Sequence, residues 1–179
     1  MNSSVQQLGL MTSLMTRDIF YRKLSLEYLI DRVSPAIAHG QIYFAFNKHG
    51  RVVAGWTWAL LTEDVAQRFA VAGNCKLHIS EWNEGQDLWI VDFVASEGCA
   101  RDVVRFMRAE FFRGFKSARW LRRKNRGSSP SVSSFSRFEP ARHQNYCPRT
   151  DYIFRLPISA FAPTFDIWQE REAVCNHGI

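Results

Sequence analysis

The sequence has little of what marks several protein classes. Its 179 residues include only four cysteines, Cys75, Cys99, Cys147 and Cys175. No C-x-x-C pair occurs and no Cys–His pair has zinc-ligand spacing, so no metal site is expected. Four cysteines are also too sparse for a disulfide scaffold, and free thiols in a reducing compartment are expected. No apolar run approaches the ~20 residues needed to cross a bilayer, so no membrane span is expected. The opening stretch MNSSVQQLGLMTSLMTRD lacks a basic n-region and a long apolar core, which argues against a secretory signal and for a cytoplasmic location. Internal repeats are absent, and so is any recognised nucleic-acid-binding motif, which ranks that partner class last.

What remains is a chain of single-domain length, 46% hydrophobic and 14% aromatic, enough to bury a core. Its net charge of +6 and pI near 9.4 point to an acidic partner. Periodicity predicts a short amphipathic helix over residues 4–15 and a second over 26–37, kinked or broken at Pro35. QIYFAFNKHGRVVAGWTWALL reads as a β-hairpin turning at NKHG. TEDVAQRFA reads as a capped helix. VAGNCKLHISEWNEGQ reads as a loop with one short strand, and DLWIVDFVA as a buried strand. SEGC is a turn into a helix over ARDVVRFMRAEFFRGF, and KSARWLRR is another strand. The Ser-rich, basic KNRGSSPSVSSFSR reads as a mobile loop. Alternating helices and strands predict an α+β fold, a mixed sheet flanked by helices.

Asp92 stands alone in the apolar run LWIVDFVAS. An unpaired charge is expensive to bury, so it needs a partner or a task. The segments around it, in order and spacing, resemble the toxin-activating lysine acyltransferases, small proteins that acylate RTX protoxins. They are LGLMTSLMTRD (8–18), SPAIAHGQ (34–41), VVAGWTWALL (52–61), EWNEGQDLWIVDFVASEG (81–98) and VSSF (132–135). The resemblance implies an N-acetyltransferase-like fold, with residues 1–140 as the acyltransferase-like domain and 141–179 as a C-terminal extension packed on it. It implies transfer of a fatty acyl chain from acyl carrier protein, whose phosphopantetheine thioester is a co-substrate, to a lysine of an RTX-type protoxin. No permanently bound cofactor is implied, and a homodimer is.

The family's chemistry rests on a central-strand aspartate and an N-terminal histidine. The aspartate maps onto Asp92. The histidine position, aligned without gaps, falls on Tyr21. Amide formation needs a neutral amine, and histidine is the usual base; tyrosine, with a pKa near ~10, is better suited to donate. Three readings follow. Tyr21 is a working variant, with buried Asp92 as base; or another histidine serves, His39 first; or the chain has lost activity and only binds a carrier or toxin-like protein. A third function class is an acetyl-CoA-dependent N-acetyltransferase. The turn at Ser96, Gly98 and Cys99 precedes a helix and would offer amides to the donor's phosphate, or be an ordinary cap. Arg119 and Arg122 belong to a basic cluster that would steer an acidic carrier.

Overall fold

The computed structural model describes residues 3–72, 75–96, 98–122, 131–136 and 152–153. Helix α1 (Ser4–Met15) starts at Ser3, whose hydroxyl accepts from the Gln6 amide, and buries Met11, Leu14 and Met15. A single 3-10 turn (Tyr21–Lys23) follows. Helix α2 (Leu26–Tyr28) then widens into a π turn (Leu29–Val33) and resumes as α3 (Ser34–Ala38). The expected disturbance thus lies one turn ahead of Pro35. The wide turn comes where a proline ring would press on the preceding helical carbonyls. Strands β1 (Ile42–Asn47) and β2 (Val52–Leu61) form the hairpin. Helix α4 (Glu63–Ala72), strand β3 (Asp87–Ala95), helix α5 (Ala100–Phe106) with its π turn (Met107–Phe111), and strands β4 (Ser117–Arg122), β5 (Ser131–Ser136) and β6 (Tyr152–Ile153) complete the order.

Among the described residues the strands form one six-stranded sheet in the order β5-β4-β3-β2-β1-β6. Only β3 and β4 run parallel; all other neighbours are antiparallel. The α+β expectation, a mixed sheet flanked by helices in the N-acetyltransferase-like manner, holds. Two sequence readings do not. VSSF is not loop: residues 131–136 pair with β4 along their whole length, while residues 124–130 and 137 of the expected mobile segment lie outside the described residues. In place of a short strand between α4 and β3, a 3-10 turn (Ile79–Trp82) is closed by a reciprocal cap between His78 and Glu81. Of the expected C-terminal extension, β6 pairs with the edge of β1 (Phe46↔Ile153); the rest lies outside the described residues.

Each face of the sheet has its own core. Tyr43, Trp56, Trp58, Leu88 and Ile90 pack under α5 with Val103, Met107 and Phe112, and partly buried Phe93 and Ala95 join them. Trp56 and Trp58 are therefore core, as their alternation with Gly55 and Thr57 suggests. On the opposite face, Leu14 of α1 packs with Val33, Phe44 and Val94, and Val65 and Phe69 of α4 pack with Trp82 and Trp89.

A bulge in β3 decides where Asp92 goes. Thr57 pairs with Asp92 but Trp58 pairs with Ile90, so Val91 is the extra residue. Strict alternation would send Asp92 to the face of Leu88 and Ile90. The added residue turns the strand over, so Phe93 and Ala95 take up the α5 face instead. Asp92 is left on the face of its partner Thr57, under the N-terminal helices.

Candidate active site

Asp92 is 1% exposed and Thr57 0%. The bulge takes the Asp92 amide out of the regular ladder, and it donates to Thr57 Oγ1 at 3.1 Å. The Thr57 hydroxyl in turn donates to Asp92 Oδ2 at 3.3 Å. The other carboxylate oxygen, Oδ1, accepts from two phenols: Tyr21 at 3.0 Å, and Tyr28. Among the described residues no cation pairs with Asp92. Three hydroxyls, rather than an arginine, satisfy this buried charge.

Each phenol is aimed by its own element. The Asp18 carboxylate accepts from the amides of Phe20 (2.8 Å) and Tyr21 (3.0 Å), which fixes the turn that carries Tyr21. Tyr28 closes α2, directly before the π turn. The two rings meet edge to face, with centroids 6.1 Å apart. Both are partly exposed while Asp92 is buried, so the phenols are its outer face. Burial, then the negative charge of Asp92, hold the Tyr21 hydroxyl well above the usual tyrosine range, against a smaller opposing pull from the Phe93 amide. Tyr21 is thus a proton donor at neutral pH and not a base.

The remaining expected site residues lie elsewhere. His39 caps α3 and its Nε2 contacts the Ile79 carbonyl at 2.7 Å, so its partner is a loop and not Asp92. In the turn after β3, the Ser96 amide donates to the Val53 carbonyl and the Cys99 amide to the Ser96 carbonyl, so both are spent within the structure. Gly98 takes a left-handed φ of 84°, which explains its residue type. The Cys99 thiol is buried, donates to the Ser96 and Val53 carbonyls, and is pushed above its ordinary range by that burial. An activated thiol is not what this position provides. Arg119 pairs with Asp87 at 3.0 Å and lies over the Trp89 ring, between α4 and β5, in a groove of about 370 Å³ lined also by Glu63 and Val132. Arg122 is exposed. Tyr28 and Thr57 were not foreseen. The only local signal for Thr57 is a polar residue midway along an apolar strand. Tyr28 has none, because it reaches Asp92 through tertiary packing.

The chain is similar to known proteins. The family described as HlyC, RTX toxin acyltransferase family, matches residues 1–136. The lysine-acyltransferase RtxC of Vibrio cholerae serotype O1 is 26% identical over 107 residues, covering 60% of this chain and 69% of that protein. The RTX-II toxin-activating lysine-acyltransferase ApxIIC of Actinobacillus pleuropneumoniae is 32% identical over 104 residues, 58% of this chain and 64% of that one. The leukotoxin-activating lysine-acyltransferase LtxC of Aggregatibacter actinomycetemcomitans is 28% identical over 110 residues, with 62% and 64% covered. The chain spans 64–69% of the length of these curated relatives. A single family match runs from the N-terminal helices through the Tyr21–Asp92 centre to β5, and on that ground the chain belongs to the RTX toxin acyltransferase family.

Proposed function

We propose that this chain transfers a fatty acyl group from the phosphopantetheine thioester of acyl carrier protein to lysine side chains of an RTX-type protoxin. The observation that carries this reading is the buried Asp92 with the Tyr21 phenol bonded to it, in a chain of this family. A free strand edge beside it supports a donor site there. Strand β3 pairs with β4 only at Trp89↔Arg119 and Ile90↔Trp120, so among the described residues Val91–Ala95 has no partner on that side. That free edge suits the amide groups of an extended pantetheine arm.

The proton count sets the roles. The substrate lysine first gives one proton of its ammonium to solvent. Its neutral nitrogen attacks the thioester carbon, and the C–N bond forms as the C–S bond breaks. One amine proton must leave and the thiolate must gain one. Tyr21, partly exposed and protonated, gives its proton to the departing thiolate. Asp92 accepts the amine's proton and returns it to the Tyr21 oxygen along their hydrogen bond, which restores the starting state. In this reading Asp92 is the base and Tyr21 the donor.

A second reading has an observation of its own. The Tyr21 hydroxyl is committed to Asp92 and held protonated, which suits a silent relative that binds a carrier or toxin-like protein. One experiment separates them: co-expression with acyl carrier protein and an RTX protoxin, then mass spectrometry of the protoxin's lysines. The transferase reading expects acyl-lysine with wild type and a fall of about 10²–10⁴-fold in rate with Asp92→Asn. Acylation with Tyr21→His alone supports the silent relative. Unmodified protoxin with both proteins overturns the transferase.

A further inference from the structure

Tyr28 has more support than a core aromatic needs. Its hydroxyl donates to the same oxygen, Asp92 Oδ1, as Tyr21. Behind its ring lies the guanidinium of Arg32, 5.9 Å from the Tyr28 centroid and 5.1 Å from that of Phe69. Arg32 is 5% exposed, and a cation that deep must be held on purpose. Its Nη2 donates to the Cys75 carbonyl at 3.0 Å, and the adjacent Lys76 pairs with Asp31 at 2.5 Å. The π turn is therefore tied at two successive residues to the segment that follows α4. Tyr21 is held differently, by a three-residue turn that the Asp18 carboxylate closes, with exposed Phe20 before it and exposed Arg22 after it.

We propose that the two phenols divide the work: Tyr28, set by Arg32, is the fixed donor that holds the Asp92 carboxylate in line, and Tyr21 is the donor that exchanges its proton with substrate. Tyr28 and Arg32 are then positioning residues acting through Asp92, and Tyr21 alone faces the reacting atoms. Three facts meet here: one oxygen shared by two hydroxyls, a buried cation 5.9 Å from the Tyr28 ring centroid, and a π turn that starts at the residue after Tyr28. The inference rests on the transferase reading above for its kinetics, but not for its geometry.

The test uses the full chain, a fatty-acyl-loaded carrier protein and the protoxin. Tyr28→Phe keeps the ring and the stacked guanidinium, and is expected to lower kcat about 10–100-fold while donor KM stays within about threefold. Groups acting through one carboxylate are non-additive, so Tyr21→Phe/Tyr28→Phe falls within about threefold of Tyr21→Phe alone. Arg32→Met follows Tyr28→Phe, Arg32→Lys recovers part of the loss, and Arg32→Met adds nothing in a Tyr28→Phe background. With an active wild type, a Tyr28→Phe rate within about twofold of it overturns the proposal, as do losses that multiply in the double variant. An inactive wild type sinks the transferase reading alone. The arrangement is then read from downfield phenolic protons, assigned to tyrosine, in the NMR spectrum: two in wild type, one in each Phe variant, none in Asp92→Asn. Two such protons in Tyr28→Phe overturn it.

Discussion

Tyr21 keeps its proton to higher pH in the folded chain than in the unfolded one, where tyrosine ionises near ~10. Its folded-state value is raised, so its contribution is complete below pH ~10 and is lost as pH rises toward that value. Urea midpoints should therefore fall more steeply for wild type than for Tyr21→Phe between about pH 9 and 11. A residual slope persists in the variant, because burial also raises Tyr43. Thr57→Val removes the partner of both Asp92 Oδ2 and the Asp92 amide, and should cost about 1–3 kcal/mol in a denaturant titration. Asp92 was legible from sequence because a carboxylate contrasts with an apolar strand. Tyr21 was legible only through the family resemblance. Tyr28 was not legible at all. It follows Tyr21 by seven residues, a helical repeat, but Leu24 and Ser25 are extended, so no single helix carries both.

Among the elements, the segment between α4 and β3 shows what a family motif can mean physically. Gly85 donates its amide to the Leu60 carbonyl at 2.8 Å, and a Cβ there would lie 1.8 Å from the Leu61 carbonyl oxygen. Backbone cannot yield by that much, so Gly85→Ala should cost more than about 3 kcal/mol, seen as a lowered melting temperature or loss of soluble protein. Gly55 meets only side chains, Leu14 and Phe44 at 3.0 Å, so Gly55→Ala should cost less. Helices and the hairpin were readable from their periods and caps. The β3 bulge was not, because a strand buried on both faces has no alternation to break. The β5 strand was missed for another reason. Its serines signal a loop, but it is held by a ladder with β4, an interaction composition does not encode.

For the whole molecule, net charge matters more than individual ion pairs. Arg113, Lys116 and Arg122 are exposed around β4, while Arg119 is engaged by Asp87. If an acidic carrier is the donor, kcat/KM with it should fall several-fold between about 50 and 300 mM salt, and hardly change with a small acyl thioester. Reversing Arg113, Lys116 and Arg122 to Glu should reproduce that loss at low salt. Arg119→Gln should alter stability by no more than about 1 kcal/mol, since its pair is partly exposed. Fold class was within reach of composition and element order. Which cations face solvent was not, since that depends on which strand lies beside which.

The extra residue in β3 also constrains how this chain can change. A strand has two phases, and the switch between them lies immediately before Asp92. Substitution at position 92 alters chemistry but leaves the phase untouched. Loss of one residue there would carry the carboxylate to the far side of the sheet, into the aromatic layer under α5 and away from Tyr21, Tyr28 and Thr57. Lineages can therefore vary this centre by exchange but not by indel, and anyone grafting it onto another sheet must transplant Val91 and Asp92 as one unit.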